Sequence, residues 1–321
     1  MNNGFLAGGI LGGSALLAGG VSYIIAETLF KRVIPRQDSV KVDTSEMADE
    51  ATFEEYRKMM VERKDWFVAQ NLQNVSVQSR DGLKLSGAYL QAGSTPSKRI
   101  ILALHGYTSA GASFCSQAKF FFENGIDVLM PDLRAHGESE GDYVGFGILD
   151  RFDCLNWIDY IVKQFGEDKE IILYGVSMGA STALMTTGFE DLHSCVKGVI
   201  ADCGFTSPFD VFSHVLKRDY NMPQFPVMTI NEKLCKKRAG YGFNDYSTLE
   251  AMKTNKLPIL FIHGENDNFV PLWMSEKNFD ACQSKKKLLV VKNAGHGASY
   301  YQDHELYEQT VLDFLNNYIC E

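Results

Sequence analysis

Ile171-Ile172-Leu173-Tyr174-Gly175-Val176-Ser177-Met178-Gly179-Ala180 decides the fold. An apolar run of strand length passes into G-x-S-x-G and then into a helical pattern. The glycines two residues either side of Ser177 permit a tight strand-to-helix turn that a Cβ would obstruct. Such a turn lifts the serine hydroxyl above a sheet. It also sets the N-terminus of the next helix beneath it, where partial positive charge suits a forming oxyanion.

Outward from this turn the chain alternates. Apolar runs of strand length fall at 100–104, 127–130, 171–174, 196–201, 259–262 and 288–291, with helical patterns at 113–124, 147–165, 178–189, 272–282 and 303–318. Continuous apolar strands separated by helices indicate an α/β protein with a parallel sheet covered on both faces. Upstream, residues 74–79 and 83–90 flank Asp81-Gly82, a hairpin turn signal. One stretch breaks the rhythm. Residues 205–257 contain no clear strand and are too long for a plain loop, so they read as a helical cap inserted over the sheet.

A serine hydroxyl needs a base, and the base needs an orienter. Seven histidines are available. His296 lies just past the last strand, in Ala294-Gly295-His296-Gly297. Asp267 lies in the short loop after the penultimate strand, in His263-Gly264-Glu265-Asn266-Asp267. The order Ser177, Asp267, His296 puts all three at one end of a parallel sheet. Asp202, after the strand at 196–201, is the rival acid, and His263 reads as a packed histidine. The expected oxyanion donors are the backbone amides of Met178 and of Tyr107, the latter in His105-Gly106-Tyr107-Thr108 after the first parallel strand.

These motifs carry a resemblance. Over about residues 70–320 the chain resembles the α/β-hydrolase superfamily, through His105-Gly106, the run Asp132-Leu133-Arg134-Ala135-His136-Gly137-Glu138-Ser139, G-V-S-M-G, H-G-E-N-D-N-F-V-P and A-G-H-G. Within it, the chain is similar to the bacterial, membrane-anchored branch related to serine aminopeptidases and lysophospholipase-like hydrolases. The resemblance implies a serine hydrolase without cofactor or metal, acting on esters, thioesters or amides. It implies that 132–139 is a loop beside the site and that His136 is structural. Ala135 stands where relatives usually have glycine.

The N-terminus differs from the rest. Met1 to Ala26 carries no charged side chain, and Glu27, Lys31, Arg32 and Arg36 follow. A helix of that length is about 39 Å long, enough to cross a bilayer with some tilt. Residues 1–37 therefore read as an uncleaved transmembrane anchor with a basic collar, contacting membrane through residues 1–30. A cleaved secretory signal and a helix buried in the protein are the competing readings. Gly8 and Gly12 have the spacing of a helix–helix contact, so self-association is expected there. The basic flank puts the body on the cytoplasmic side, the extracellular side being the alternative. Residues 38–72 read as a helical linker, with a helix over 44–70 capped by Thr44 or Ser45, and 73–321 as the hydrolase domain. Deleting residues 1–37 is expected to leave a soluble, active enzyme.

Of 321 residues, 45% are hydrophobic and 22% charged, with a formal charge of −9. An acidic chain without basic runs argues against a nucleic-acid partner. The seven cysteines form no C-x-x-C pair, which excludes zinc ribbons and thioredoxin-like motifs. The leading function is hydrolysis of a small-molecule carboxylic ester through an acyl-enzyme. A serine aminopeptidase or amidase is the alternative, and would need a carboxylate pair in the cap, where Glu232, Asp245 and Glu250 are the acids in the middle of the stretch. A catalytically idle membrane scaffold is the third reading. Eight aromatics within 205–246 either line an acyl pocket or form the cap's own core.

Overall fold

The computed structural model describes residues 4–37 and 47–319, the side chains of residues 4–18 excepted. Eight strands form one sheet: β1 (Gln73–Gln78), β2 (Lys84–Leu90), β3 (Arg99–Leu104), β4 (Asp127–Pro131), β5 (Glu170–Val176), β6 (Val196–Asp202), β7 (Ile259–Gly264) and β8 (Lys286–Val291), in spatial order β1-β2-β4-β3-β5-β6-β7-β8. β1 and β2 pair antiparallel as a hairpin turned by Gly82, which sits at φ +91°. β2 is antiparallel to β4, and every later pairing is parallel.

The central strands are buried on both faces, which is why they read as unbroken apolar runs. Side chains alternate between faces with period two. Ile100, Leu102 and Leu104 of β3 join one core and Ile101 and Ala103 the other. The first core is covered by α4 (Asp150–Phe165), α5 (Met178–Thr186) and the cap. The second is covered by α2 (Glu50–Val68), α3 (Cys115–Glu123) and, after a short α10 (Ser299–Gln302), α11 (His304–Asn317). Between the last two strands runs α9 (Trp273–Ala281). α2 starts at Asp49, whose carboxylate accepts from the Thr52 amide at 2.9 Å. This corrects the expected start at 44 with Thr44 or Ser45 as cap, two residues that themselves lie outside the described ones.

The insertion is helical, as its composition suggested. α6 (Pro208–Tyr220) is capped by Ser207, α7 (Val227–Ala239) ends at Gly240 with φ +80°, and α8 (Thr248–Thr254) is capped by Ser247. Its aromatics divide. Phe205, Tyr241 and Phe243 are cap core, Phe209, Phe212 and Tyr246 are partly buried, and Tyr220 and Phe225 are exposed.

The N-terminal helix α1 (Gly4–Val33) is joined to the body. Ala26, Phe30 and Ile34, four residues apart and so on one face, are buried against the cap. Arg238 of α7 donates to Glu27 at 2.9 Å and lies 5.1 Å from the centre of the Phe30 ring. Beyond the helix, the Val144 amide donates to the Ile34 carbonyl and the Arg36 amide to the Asp142 carbonyl, both at 2.8 Å. Residues 26–36 are thus part of the folded body, where the sequence reads 1–37 as anchor and collar alone. No helix among the described residues is long and apolar enough to cross a membrane. Most of the expected anchor, residues 1–18, falls outside the described side chains, as does the expected contact through Gly8 and Gly12.

Phe30→Ala is expected to destabilise the body by about 3 kcal/mol, the usual cost of emptying a buried phenylalanine site. A urea midpoint lowered at unchanged slope measures it. A midpoint equal to wild type would show that the helix contributes nothing to the fold.

Candidate active site

The sharp turn after β5 is made possible by two close approaches. A Cβ at Gly179 would lie 1.8 Å from the Leu104 carbonyl oxygen, and one at Gly175 would lie 2.3 Å from the Gly179 backbone. Glycine is therefore required at both places for α5 to start directly over β3. Ser177 pays with a left-handed backbone, φ +55° and ψ −116°. Its amide donates to the Asp202 carbonyl at 2.8 Å, tying the turn to β6. Met178 is the first residue of α5, where amides have no partner within the helix.

The structure brings Ser177, Asp267 and His296 together. His296 Nε2 lies 2.9 Å from Ser177 Oγ, and His296 Nδ1 lies 2.8 Å from Asp267 Oδ2. With Asp267 charged, Nδ1 carries the proton and Nε2 is left to accept from the serine hydroxyl. Asp267 is buried, which opposes its charge. The His296 ring outweighs this, together with hydrogen bonds from His263 and His296, and holds the carboxyl well below the usual carboxylate range. The amides of Phe269 and Val270 donate to its other oxygen at 3.0 and 2.8 Å. His263 is packed, as expected, between Ser275 Oγ and the Val270 carbonyl, both at 2.7 Å.

Asp202 is differently placed. Its two oxygens accept from Ser299 Oγ at 3.3 Å and Tyr307 Oη at 3.1 Å. Burial pushes its carboxyl up to about 6, against the pull of His263 and these hydroxyls. A carboxyl that resists ionisation is poorly suited to hold an imidazolium.

The loop with Tyr107 packs beside the serine, since a Cβ at Gly106 would lie 3.5 Å from Ser177 Cβ. Two histidines fasten it. The Leu133 amide donates to His105 Nε2 at 2.9 Å, and the Thr108 amide to His136 Nε2 at 3.3 Å. Each loop thus carries the acceptor for the other. Burial depresses His105 to about 3 and lowers His136, so both stay neutral acceptors. Ala135 has φ +59°, the conformation that explains glycine at this place.

Sequence reasoning missed two neighbours of the site. Phe269 packs its ring 5.0 Å from the His296 ring, and the Tyr107 hydroxyl donates to the Val33 carbonyl of α1 at 3.0 Å. Only the position of Phe269, two residues after Asp267, hinted at the first. Nothing in the sequence pointed to the second. Among the described residues, one group has ligand atoms close enough for a metal ion: Cys203, Asp267 and His296, within 4.8 Å of one another. Two of the three are already hydrogen-bonded to each other. Burial pushes the Cys203 thiol well up, against the thiolate that a metal needs. The arrangement fits acid–base chemistry better than coordination.

The raised Asp202 predicts a pH effect. Unfolded, an aspartate titrates near 3.9, so the folded state holds this proton longer. Stability from this group is present below about pH 4 and lost as pH rises towards 6. Asp202→Asn should therefore gain stability over wild type between pH 4 and pH 7, on the order of 2–3 kcal/mol. Urea unfolding of both proteins at the two pH values tests this; a pH-independent difference would contradict it.

Known proteins resemble this chain in sequence or in fold. YqkD of Bacillus subtilis is 29% identical over 293 residues, covering 90% of both chains. YfhR of Escherichia coli is 22% identical over 250 residues, 76% of this chain and 80% of its own. Among solved structures, the Pyrococcus furiosus esterase Pf2001 superposes with a TM-score of 0.66 at 20% identity, covering 90% of this chain and 98% of the esterase. The Pyrococcus horikoshii acylaminoacyl peptidase gives 0.59 at 17%, covering 79% of this chain and 43% of the peptidase. Residues 112–321, from the helix after β3 to the end of the chain, match the prolyl oligopeptidase family. With that match joined to an eight-stranded sheet carrying its serine on the turn after β5, the chain belongs to the prolyl oligopeptidase family of α/β-hydrolases and is a serine hydrolase.

Proposed function

We propose that the protein hydrolyses a carboxylic ester through an acyl-enzyme, with Ser177 as nucleophile, His296 as base and Asp267 as orienter. One observation carries the reading: the His296 ring bridges Ser177 Oγ and Asp267 Oδ2 at 2.9 and 2.8 Å. Ser177 Oγ attacks the carbonyl carbon while its proton passes to His296 Nε2. Asp267 stabilises the resulting imidazolium. The carbonyl oxygen takes up negative charge opposite the amides of Met178 and Tyr107. Collapse expels the alcohol, which takes the proton from Nε2. Water then attacks the acyl-enzyme with His296 again as base, and the acid leaves with Ser177 restored.

The ester reading is favoured over the aminopeptidase by the state of the cap acids. An amine site needs carboxylates free to receive it. Glu232 accepts from Asn244 at 3.1 Å, Asp245 pairs with Lys236 at 2.7 Å, and Glu250 accepts from Ser247 at 2.8 Å. Thioester cleavage uses the same steps.

The reading includes a membrane location, with the chain anchored once through its N-terminus and the body on the cytoplasmic side. The uncharged run of residues 1–26 and the basic flank support it. So do Val21 and Ile24, which leave 56% and 65% of their surface exposed on α1. A yeast relative, 27% identical over 199 residues, is described as a membrane protein.

Ser177→Ala should abolish fluorophosphonate labelling and lower ester turnover by roughly 10³-fold or more. Asp267→Asn should be far more damaging than Asp202→Asn; the reverse would transfer the orienter's role to Asp202. Hydrolysis of an aminoacyl anilide in preference to p-nitrophenyl esters would favour the peptidase.

Full-length protein should sediment with membranes and stay there through high-salt washing, because apolar burial is not screened by salt. Protease added to intact cells should leave the body whole. Release by salt would remove the anchor, and digestion would reverse the orientation.

A further inference from the structure

Two side chains of the cap reach the loop that carries Asp267. His214 and Arg218 are four residues apart, so α6 presents them on one face. The Asn268 carbonyl accepts from His214 Nε2 and from Arg218 Nη1, each at 2.9 Å. Asp219 holds the rest of the guanidinium, accepting from Nε at 2.5 Å and from Nη2 at 3.1 Å. Fixed in this way, the Arg218 guanidinium lies 5.2 Å from the centre of the Phe269 ring. That ring in turn lies 5.0 Å from the His296 ring, tilted by 47°. Arg218, Phe269 and His296 thus form a continuous line of contact from the cap to the imidazole.

An imidazole in this position needs such a contact. Hydrogen bonds at Nδ1 and Nε2 hold two points of the His296 ring. They leave the ring free to rock about the line joining those points, and rocking spoils the alignment of both bonds. What packs against the face of the ring decides its plane, and Phe269 packs there. The same residue is tied to the acid, because its amide donates to Asp267 Oδ1 at 3.0 Å. On the sheet side, His263 of β7 donates to the Val270 carbonyl at 2.7 Å. The loop at 267–270 is therefore held from the sheet by His263 and from the cap by His214 and Arg218.

We propose that Phe269 and Arg218 are positioning residues for the base His296, and that the cap helix α6 sets the alignment of the imidazole through them. The proposal rests on the ester-hydrolase reading above and adds the part that the cap plays in its chemistry. Phe269 acts directly, by fixing the plane of the ring. Arg218 acts through Phe269, by holding that ring and the Asn268 carbonyl beside it. A shift of α6 is passed along the same contacts, so the placement of the cap and the readiness of the base are coupled.

The test labels full-length protein in detergent with an ethyl fluorophosphonate. It reads the maximal labelling rate at Ser177 and the probe concentration that gives half of it. Arg218→Ala and Phe269→Ala should each lower the maximal rate roughly 10-fold or more at an unchanged half-saturating concentration. A misplaced base slows proton transfer without weakening binding, and a shift of about 1 Å can cost 100-fold. Phe269→Tyr keeps the ring and should recover most of the rate lost in Phe269→Ala. Because Arg218 acts through Phe269, adding Arg218→Ala to Phe269→Ala should cost nothing further. The low-field proton resonance of the His296–Asp267 hydrogen bond, assigned by its loss in Asp267→Asn, should shift or broaden in both alanine variants. Thermal unfolding verifies that each variant is folded. An unchanged rate in folded Arg218→Ala, or additive losses in the double variant, overturns the positioning role and leaves the hydrolase reading intact. Should Arg218→Ala fail to fold, His214→Ala removes the other cap contact of the Asn268 carbonyl: a slowed rate supports the proposal and an unchanged one overturns it. Absence of labelling in wild type overturns the hydrolase reading, and the positioning role with it.

Discussion

The architecture of the site depends on one close approach, that of the first turn of α5 to the end of β3. Gly179 sits so near the Leu104 carbonyl that any side chain there would overlap it. Because the helix begins this close to the sheet, the chain must reverse within a few residues of β5, and Ser177 is forced to φ +55°. The strained residue is the one whose hydroxyl has to stand clear of the sheet. β3 and β5 are adjacent and parallel, so the same approach also brings the loop after Leu104 alongside the serine. Ser177 and the loop that carries Tyr107 are placed by a single packing requirement.

Two buried carboxylates near that serine show how environment assigns roles to identical groups. Asp267 is surrounded by donors: two backbone amides, His263 and His296. These favour its charged form over the cost of burial. Asp202 receives only hydroxyl groups and remains easier to protonate. The first is suited to balance an imidazolium, the second to brace the junction of β6 with α10 and α11. The histidines divide likewise. His105 and His136 are kept neutral by burial and spend their lone pairs on backbone amides, which fastens two loops to each other.

The N-terminal helix changes how the domain is understood. Its last turns fill a gap between the cap and the loop at 142–146, and its end receives the Tyr107 hydroxyl. A segment whose sequence suggests only attachment is, over residues 26–36, part of the folded body. The Arg238–Glu27 pair and the burial of Phe30 hold it there.

Much of this was legible in the sequence. G-V-S-M-G between an apolar strand and a helical pattern announced the elbow, because two glycines at that spacing serve a turn that tolerates no Cβ. The unbroken apolar runs announced a sheet covered on both faces, and the positions of Asp267 and His296 after successive strands placed them at one end of it. Local pattern suffices where the physics is local, in turns and alternation. The tertiary structure alone decided the rest. The loop after the penultimate strand favoured Asp267 over Asp202 in the sequence, but only folding brings to each the donors that set its charge. Residues 26–36 carry an amphipathic pattern too short to read beside a long uncharged run, and their partners, Arg238, Val144 and Tyr107, lie 70 or more positions away in the chain. Contacts of that range leave no periodic mark in a sequence, because nothing local requires them.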